Sequence, residues 1–405
     1  MRLFRAYTVY PEYVTQFYGT HPGLEARCFA EQKRTHDAEA VAWGNAYTRA
    51  LAPLGYEVLE IALNMEPMQR AWAAEHGPAH PAPIDPREIL VAQVKDFSPD
   101  IIWYDHHDQN LLERLRSAAS SVRLVLGWMG SPIAARNAWS QMDLVLSCAP
   151  EGVAYLRGLG LRSEHLHHAF DDSVLDRLSA HDREIPMTFI GGIVRRNRYH
   201  LNRDRILALL VREVPLEIYS PSLEPPFHEY AKAATSGALF LMTSTLRALG
   251  LLEAATRRWD LARKAALIAS APRLPVNRRL RKHLKPAVFG LKMYQTEHDS
   301  SLVLNIHADS SPEYASNMRL FEATGVGSCL VTDWRKNIRE LFEPDREVVT
   351  YRSPEECVEK ATWLLDHPRE RLEIARAGQA RALKDHTFVP RGAQLDAIVR
   401  SALRS

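Results

Sequence analysis

The chain has 405 residues, and at roughly 150 residues per domain this length indicates two or three domains and excludes a single small module. With 46% hydrophobic and 25% charged residues it resembles an average soluble protein, which excludes a disordered, collagen-like or disulfide-scaffold chain. The formal net charge of +2 lacks the strong bias of a general nucleic-acid binder, so we expect no nucleic-acid partner.

The first part of the chain alternates short β-branched or aromatic runs with helical patterns. Strands that are spaced by helices indicate βαβ units and a parallel sheet. The near-continuous apolar character of these runs is typical of strands buried on both faces, since helices cover both faces of such a sheet. We therefore predict a doubly wound α/β domain over residues 1–170, with strands within 2–10, 56–63, 100–105, 122–128 and 144–149.

A charged stretch interrupts this pattern at residues 171–186, and we interpret it as a linker between two domains. Strand-like runs resume after it and predict a second α/β domain over residues 187–385. Helical patterns near the end of this domain have Glu and Arg at spacings of three and four residues, which predicts solvated outer helices with a structural role. The predicted strands of the second domain lie within 188–193, 216–220, 301–308, 328–333 and 347–351.

One segment of the second domain, from residue 230 to 292, has no strand-like run, and we predict a helical insertion over residues 225–292. Within it, residues 254–292 have a local net charge of +10, because one acid, Asp260, stands against eleven basic residues. This segment is predicted either to contact an anionic membrane surface or another polyanion, or to be a solvated insertion without a partner. The basic residues are Arg257, Arg258, Arg263, Lys264, Arg273, Arg278, Arg279, Arg281, Lys282, Lys285 and Lys292.

Ligands of doubly wound domains bind at the carboxyl ends of the strands, so the loops that follow strands are the predicted sites. The loop after the run at 301–308 contains Ser311 and Glu313 and leads into a predicted helix that begins near Asn317. The start of a helix presents free backbone N–H groups, which favours binding of a diphosphate. Glu322 in this helix is either an acceptor of hydrogen bonds from sugar hydroxyls or an exposed helix glutamate.

A second candidate loop follows the run at 188–193 and contains Gly191, Gly192, Arg195 and Arg196. Glycines allow a ligand to approach the backbone, and arginine side chains donate paired hydrogen bonds to phosphate oxygens. The pattern predicts phosphate contacts from this loop. The same arginines are equally suited to pairing with acidic neighbours on the surface.

In the first domain, Asp105, His106 and His107 follow the run at 100–105 and are our candidate catalytic residues. An imidazole at this edge of the sheet is suited to bind a sugar hydroxyl or to stabilise a developing charge. Because adjacent side chains point to different sides, we expect at most one of the two histidines to have this role.

No metal, cofactor or disulfide is expected. The four cysteines are widely spaced without a C-x-x-C pair, which favours reduced thiols in a cytosol. A histidine cluster at residues 165–168 has no partner spaced for zinc and is predicted to lie between the domains or at the edge of a cleft. The chain shows no signal-like start and no apolar stretch of ~18 residues, so we expect a cytoplasmic protein.

Four stretches of the second domain, SLVLNIH, NMRLFEATGVG, LFEPDRE and HTFVPR, follow one another between residues 301 and 391. They resemble motifs in the carboxyl half of the CgeB-like spore-maturation glycosyltransferases, a GT-B group related to retaining glycosyltransferase family 4. The stretches TFIGGI and EHLHHAFDD resemble a strand and a linker of the same family. The likeness therefore covers roughly residues 160–400.

This resemblance implies the GT-B fold, in which two Rossmann-like domains face each other across a cleft. Residues 386–405 would form a C-terminal helix that returns to the first domain. The second domain would hold a nucleotide-diphosphate sugar, whose sugar is transferred without a metal and with retention. By position, Glu322 would contact the ribose, Asn317 and Arg319 would shape the diphosphate helix, and Gly191, Gly192 and Arg195 would approach the phosphates.

The sequence thus predicts a glycosyltransferase that moves a sugar from a nucleotide-diphosphate donor to a glycan, lipid-linked or protein acceptor. We expect it in the cytoplasm, or peripherally at the inner face of the membrane. Two alternatives remain open. One is a sugar-nucleotide epimerase of the same fold, and the other is a non-catalytic protein that binds membranes or polyanions through residues 254–292.

Overall fold

The computed structural model describes residues 1–76, 85–130, 136–180, 183–195, 200–223, 225, 227–266, 268, 271–272, 274–309 and 311–404. Within these residues the chain forms two α/β domains, each built on a parallel sheet of six strands. The central strands are buried along their whole length, because helices cover both faces of each sheet.

The first domain has the strand order β2-β1-β3-β4-β5-β6. Its strands are β1 (Arg2–Tyr7), β2 (Glu57–Ala62), β3 (Ile101–Tyr104), β4 (Leu124–Met129), β5 (Leu144–Ser147) and β6 (Ser163–His165). Its described helices are α1 (Pro11–Thr20), α2 (Phe29–Ala38), α3 (Ala46–Leu51), α4 (Glu66–His76), α5 (Pro86–Phe97), α6 (Gln109–Ala118) and α7 (Pro150–Gly158).

The second domain has the strand order β12-β11-β10-β7-β8-β9. Its strands are β7 (Ile185–Ile190), β8 (Leu216–Tyr219), β9 (Leu284–Lys285), β10 (Ser300–Asn305), β11 (Cys329–Asp333) and β12 (Val349–Tyr351). Its described helices are α8 (Leu201–Glu213), α9 (Phe227–Ala248), α10 (Leu252–Arg258), α11 (Asp260–Ala266), α12 (Gly290–His298), α13 (Arg319–Gly325), α14 (Ile338–Leu341), α15 (Pro354–Asp366) and α16 (Pro368–Asp385).

The insertion between β8 and β9 consists of α9, α10 and α11, which pack mainly on one another. The expectation that residues 230–292 contain no strand is wrong, because β9 pairs with β8 at the edge of the sheet. This strand is too short to leave a recognisable run in the sequence. Among the described helices, none combines the length and the apolar character that crossing a bilayer requires.

A last helix, α17 (Phe388–Arg404), leaves the second domain and packs on the first. Its residues Phe388, Leu395 and Val399 are buried in the same apolar cluster as Tyr47 and Trp103 of the first domain. The chain therefore crosses between the domains twice.

The two crossings run side by side. Phe170 N donates a hydrogen bond to His386 O at 2.8 Å, and Phe170 pairs with Thr387 in an isolated parallel bridge. The ring of Phe170 lies against Gly325, where a Cβ atom would come within 2.3 Å of it. The absence of a side chain at Gly325 thus allows α13 to pack against the connection.

Candidate functional site

The strand orders place one crevice in each domain. In the second domain the order reverses between β7 and β10, and in the first domain it reverses between β1 and β3. Loops on either side of such a reversal run in opposite directions, which opens a crevice at the carboxyl ends of the strands. The residues around the two crevices form opposite walls of one interdomain cavity of about 900 Å³.

The second-domain wall is formed by the loop after β7 and the end of β10. Gly191 and Gly192 line the cavity, and no atom of the described residues would lie within 4 Å of a Cβ atom at Gly192. Arg203 connects the two segments, because its Nη1 donates to Gly192 O at 2.7 Å and its Nη2 donates to Ile306 O at 2.7 Å. A ligand can therefore approach the backbone closely at Gly192.

A buried charge cluster lies beneath this wall. Arg319 Nη1 is ion-paired with Glu297 and lies 3.0 Å from Glu322 Oε2. Arg319 and Glu322 line the cavity, whereas Glu297 is completely buried behind them. Two carboxylates share one guanidinium, so the cluster has a formal charge of −1 when both acids are ionised. Burial raises the pKa of the Glu322 carboxyl, and the neighbouring Arg319 partly offsets this rise.

The segment before α13 differs from the predicted diphosphate helix. The helix begins at Arg319 and spans seven residues, and its N-cap, Met318, forms no side-chain cap bond. Asn317 lines the cavity, but its amide donates to Asn305 Oδ1 at 2.8 Å. Asn317 therefore fixes the end of β10 instead of capping the helix.

The first-domain wall contains Asp105, whose side chain is 26% exposed and lines the cavity. Burial raises the pKa of its carboxyl to about 6, and Arg5, whose Nη2 is 3.8 Å away, partly offsets this rise. Arg5 is itself buried and pairs with Glu60 at 2.7 Å. Of the two carboxylates that pair with Arg5, Asp105 is thus the more distant one.

Of the two adjacent histidines, whose rings lie 6.4 Å apart, His107 lines the cavity and His106 does not. His107 is exposed, lines the cavity and contacts the ring of Trp139 edge-on. His106 is outside the cavity lining, and its Nδ1 accepts a hydrogen bond from Asp108 N at 3.2 Å. Burial lowers the pKa of both imidazoles, which favours their neutral forms.

Aromatic side chains form part of the first-domain wall of the cavity. The ring of Trp43 lies 5.1 Å from that of Trp128 and 5.5 Å from that of His168, and all three residues line the cavity. The Arg5 guanidinium lies 4.5 Å from the ring of Trp43. Trp43 has a φ of 76°, a left-handed conformation that costs of order 1–3 kcal/mol in a bulky residue. The surrounding contacts hold it in place.

Other predicted residues lie elsewhere. Arg195 is paired with Asp204 at 3.2 Å and donates to Leu274 O at 2.7 Å, so it is not in the cavity lining. Glu313 is ion-paired on the surface with Lys336 at 2.6 Å. Arg196 lies outside the described residues.

Ser311 forms a contact between the domains. Its Oγ donates to Glu151 Oε1 of the first domain at 2.6 Å. At a second contact, Gly290 at the start of α12 approaches Glu39 O so closely that a Cβ atom would be 2.3 Å from it. The domains therefore touch both at Ser311 and at Gly290, which lines the cavity.

The sequence analysis missed three residues that line the cavity, Arg5, Trp43 and Arg203, and also Glu297, which is buried behind Arg319. Arg5 had a detectable signal, because a charged residue inside a strand-like run is expected only with a buried partner. Arg203 and Glu297 lie within helices, and their pattern resembles that of ordinary solvated positions. Only the packing of distant segments brings Arg203 to the cavity and Glu297 against Arg319.

The histidine cluster at residues 165–168 lies at the junction of the domains. His165 Nε2 bonds to Cys148 O at 3.1 Å, and Gln394 of α17 donates to His165 O. Burial lowers the pKa of His168 to about 3, so this imidazole is neutral at physiological pH. Among the described residues, no group of three or more His, Cys, Asp or Glu is arranged to hold a metal ion.

Comparisons with known proteins agree with this architecture. The family model described as glycosyl transferase-like matches residues 247–397, a range that includes α13. The Anabaena protein Alr3699/HepE, solved with UDP-glucose, aligns with a TM-score of 0.54 at 14% identity over 99% of this chain and 100% of its own. The chain has the GT-B fold.

Two further structures share this fold. A glycosyltransferase from Rickettsia africae aligns with a TM-score of 0.53 at 8% identity over 100% of this chain and 99% of its own. AviGT4, a glycosyltransferase involved in avilamycin A biosynthesis, aligns with a TM-score of 0.51 at 12% identity over 100% of this chain and 98% of its own. No curated protein sequence matches the chain.

Proposed function

We propose that the protein is a glycosyltransferase that takes a sugar from a nucleotide-diphosphate donor bound in the interdomain cavity. The observation that carries this proposal is the pair Glu322 and Arg319 at the topological switch point of the second domain. Their cavity, of about 900 Å³, is in the size range of cofactor and ligand sites. The match of residues 247–397 to a glycosyl transferase-like family supports the same assignment.

In this proposal Glu322 accepts hydrogen bonds from the ribose hydroxyls, and the diphosphate lies beside Gly192. Arg319 and Arg203 are the cations of the second-domain wall, and both line the cavity. Arg319 is offset by its two acids, so the positive charge of Arg203 is the one suited to stabilise the diphosphate as its negative charge increases during bond cleavage. This contribution leads us to propose transfer without a metal ion.

The proposed reaction breaks the bond between the anomeric carbon and the diphosphate oxygen and joins that carbon to an acceptor hydroxyl. In the retaining version, the acceptor attacks from the face that the diphosphate leaves, and the acceptor proton passes to the leaving phosphate oxygen. His107 and Asp105 on the opposite wall are the proposed contacts of the transferred sugar. The acceptor, whether a glycan, a lipid-linked sugar or a protein, and the cytoplasmic location stay predictions.

A thermal-shift panel with UDP, GDP, dTDP and CDP tests donor binding. UDP is the first arm because HepE was solved with UDP-glucose. A ligand at about 100 times its dissociation constant adds about 2.7 kcal/mol of stability, so at least one nucleotide should raise the melting temperature. Glu322→Gln should reduce this shift, whereas Glu313→Gln, at the surface pair with Lys336, should leave it unchanged. No shift with any of the four nucleotides contradicts the proposal.

Product analysis tests the chemistry. The anomeric configuration of the product, measured by NMR, should match that of the donor, and transfer should continue in EDTA. Incubation of the donor without an acceptor separates the alternative: an isomerised nucleotide sugar would identify an epimerase instead.

A further inference from the structure

Helix α9 exposes an unusual face. One set of its exposed positions recurs at intervals of three and four residues and therefore forms a stripe along the helix, while His228, Lys232 and Arg247 are exposed on its other sides. With 22 residues, α9 is about 33 Å long. This apolar stripe, which contains no charged side chain, consists of Phe227, Tyr230, Ala231, Ala234, Ala238, Leu241, Thr245, Ala248 and the following Leu249.

The charged residues of α9 lie on its other sides. At roughly 100° of rotation per residue, Glu229 and Arg247 are on the side opposite Phe227 and Thr245. Within the stripe, Phe227 is 85% exposed and Leu241 is 68% exposed. An exposed helix face in a soluble protein is normally polar, so an uncharged face of this length indicates an interaction surface.

The segment that follows α9 also exposes large apolar side chains. Trp259, between α10 and α11, is 57% exposed, and Leu261 is 56% exposed. The segment 254–292 has a net charge of +10, and two of these charges, on Arg257 and Lys285, are paired with Glu253 and Glu217 outside the segment. Exposed apolar side chains beside a strong positive charge are typical of surfaces that lie on anionic lipid.

We propose that the insertion formed by α9, α10 and α11 binds the surface of an anionic lipid bilayer, with the apolar stripe at the headgroup boundary. The exposed basic residues Arg278, Arg279 and Arg281 contact the lipid headgroups. The charge distinguishes this partner from a second copy of the chain, because two insertions would bring two strongly positive segments together. Since α9 is not apolar enough to cross a bilayer, it lies parallel to the surface.

The base of the insertion is joined to the cavity wall. Arg195 follows Gly191 and Gly192 and donates to Leu274 O, and Asn277 donates to Asp204 at 3.0 Å. The insertion also starts at the carboxyl end of β8, the sheet edge on which the cavity opens. Membrane binding would therefore hold the second-domain wall close to the lipid surface.

Vesicle flotation with the full chain tests the proposal. The protein should float with vesicles of phosphatidylcholine and phosphatidylglycerol, and it should stay in solution with phosphatidylcholine alone or at high salt. The double variant Phe227→Glu, Leu241→Glu should lower the affinity about tenfold or more, because it adds two negative charges and removes two apolar contacts. Both side chains are exposed, so the fold should not change.

A matched control places the same change outside the insertion. Leu372 is 40% exposed and Val389 is 68% exposed, so Leu372→Glu with Val389→Glu should bind vesicles as the unmodified protein does. A charge variant, Arg278→Gln with Arg279→Gln and Arg281→Gln, should lose the preference for anionic lipid while its thermal stability is unchanged.

Three results would overturn the proposal. The first is that the unmodified protein does not float with anionic vesicles. The second is that the Phe227 and Leu241 variant floats as the unmodified protein does. The third is that the unmodified protein binds no lipid but forms a dimer in light scattering, and that this variant is a monomer. Flotation is measured without donor or acceptor. It therefore succeeds or fails independently of the proposed sugar transfer.

Discussion

Arg319 is the residue on which the buried charge cluster depends. It is the cationic partner of both Glu297 and Glu322, and both acids are almost fully buried. Loss of the cation should destabilise the fold more than loss of one acid. Only loss of the cation leaves two neighbouring negative charges buried without a counter-charge.

We therefore expect Arg319→Met to lower the free energy of unfolding by about 3–5 kcal/mol. Glu322→Gln should have a much smaller effect, because Arg319 keeps Glu297 as its partner. Urea unfolding of both variants measures the difference. Equal losses of unfolding free energy for the two substitutions would show that Arg319 is not the common counter-charge of the two acids.

Asp105 gives a pH-dependent prediction. Its pKa is raised from 3.8 to about 6, so ionisation destabilises the folded state. This cost is fully present above about pH 6 and disappears as the pH falls below 3.8, where the carboxyl is protonated in both states. The rise corresponds to about 3 kcal/mol.

Asp105→Asn should accordingly stabilise the protein near pH 8 and have little effect near pH 4. Arg5 keeps Glu60 as its closer partner in this variant, so the substitution leaves no unpaired cation. Chemical denaturation at the two pH values measures the change. A variant that is equally stabilised at both pH values would contradict the raised pKa.

At the scale of elements, Gly290 controls how closely α12 approaches the first domain. Its φ is +54°, and a Cβ atom would be 2.3 Å from Glu39 O, a backbone atom that cannot move aside cheaply. We expect Gly290→Ala to separate the domains and to widen the cavity. Small-angle X-ray scattering should show a larger radius of gyration.

Gly160→Ala is the matched control for this prediction. Gly160 has a φ of +80°, but nothing lies within 4 Å of its Cβ position. Gly160→Ala should therefore lower the free energy of unfolding by about 1–3 kcal/mol, because of left-handed backbone strain, but it should not separate the domains. If both variants scatter alike, the contact with Glu39 does not set the distance between the domains.

Elements with long apolar runs were the most predictable part of the fold. The run at 144–149 contains β5, which is buried on both faces, and the run at 301–308 contains most of β10. The strands β6 and β9 were not predicted, because three and two residues at a sheet edge leave no periodic signal. The uncharged face of α9 was also missed, since an apolar helix in a sequence is normally read as buried.

The candidate site was less predictable than the fold. Gly191, Gly192, Arg319 and Glu322 line the cavity because they follow strands at a switch point. Arg195 resembled them in sequence, but its side chain turns toward Asp204. Which way a loop arginine points depends on neighbours far away in the chain, and a single sequence does not reveal those neighbours.

At the scale of the whole molecule, α17 makes the first domain depend on the end of the chain. Leu395 is completely buried against that domain. Leu395→Ala should lower the free energy of unfolding by about 2–5 kcal/mol. Val389→Ala, at a position that is 68% exposed, should change it by less than about 0.5 kcal/mol.

Limited proteolysis with mass spectrometry shows where the loss occurs. In Leu395→Ala, new cleavage sites should appear within residues 1–170 before they appear in the second domain. Early cleavage in the second domain would instead mean that α17 stabilises the domain that it leaves.

The position of α17 also affects how the protein is made. Domains usually fold in order as they leave the ribosome, at roughly 5–20 residues per second. Here the apolar surface formed by Tyr47 and Trp103 stays uncovered until the final helix has been translated. The first domain therefore stays incomplete through the synthesis of the entire second one, and its apolar surface is exposed during that time.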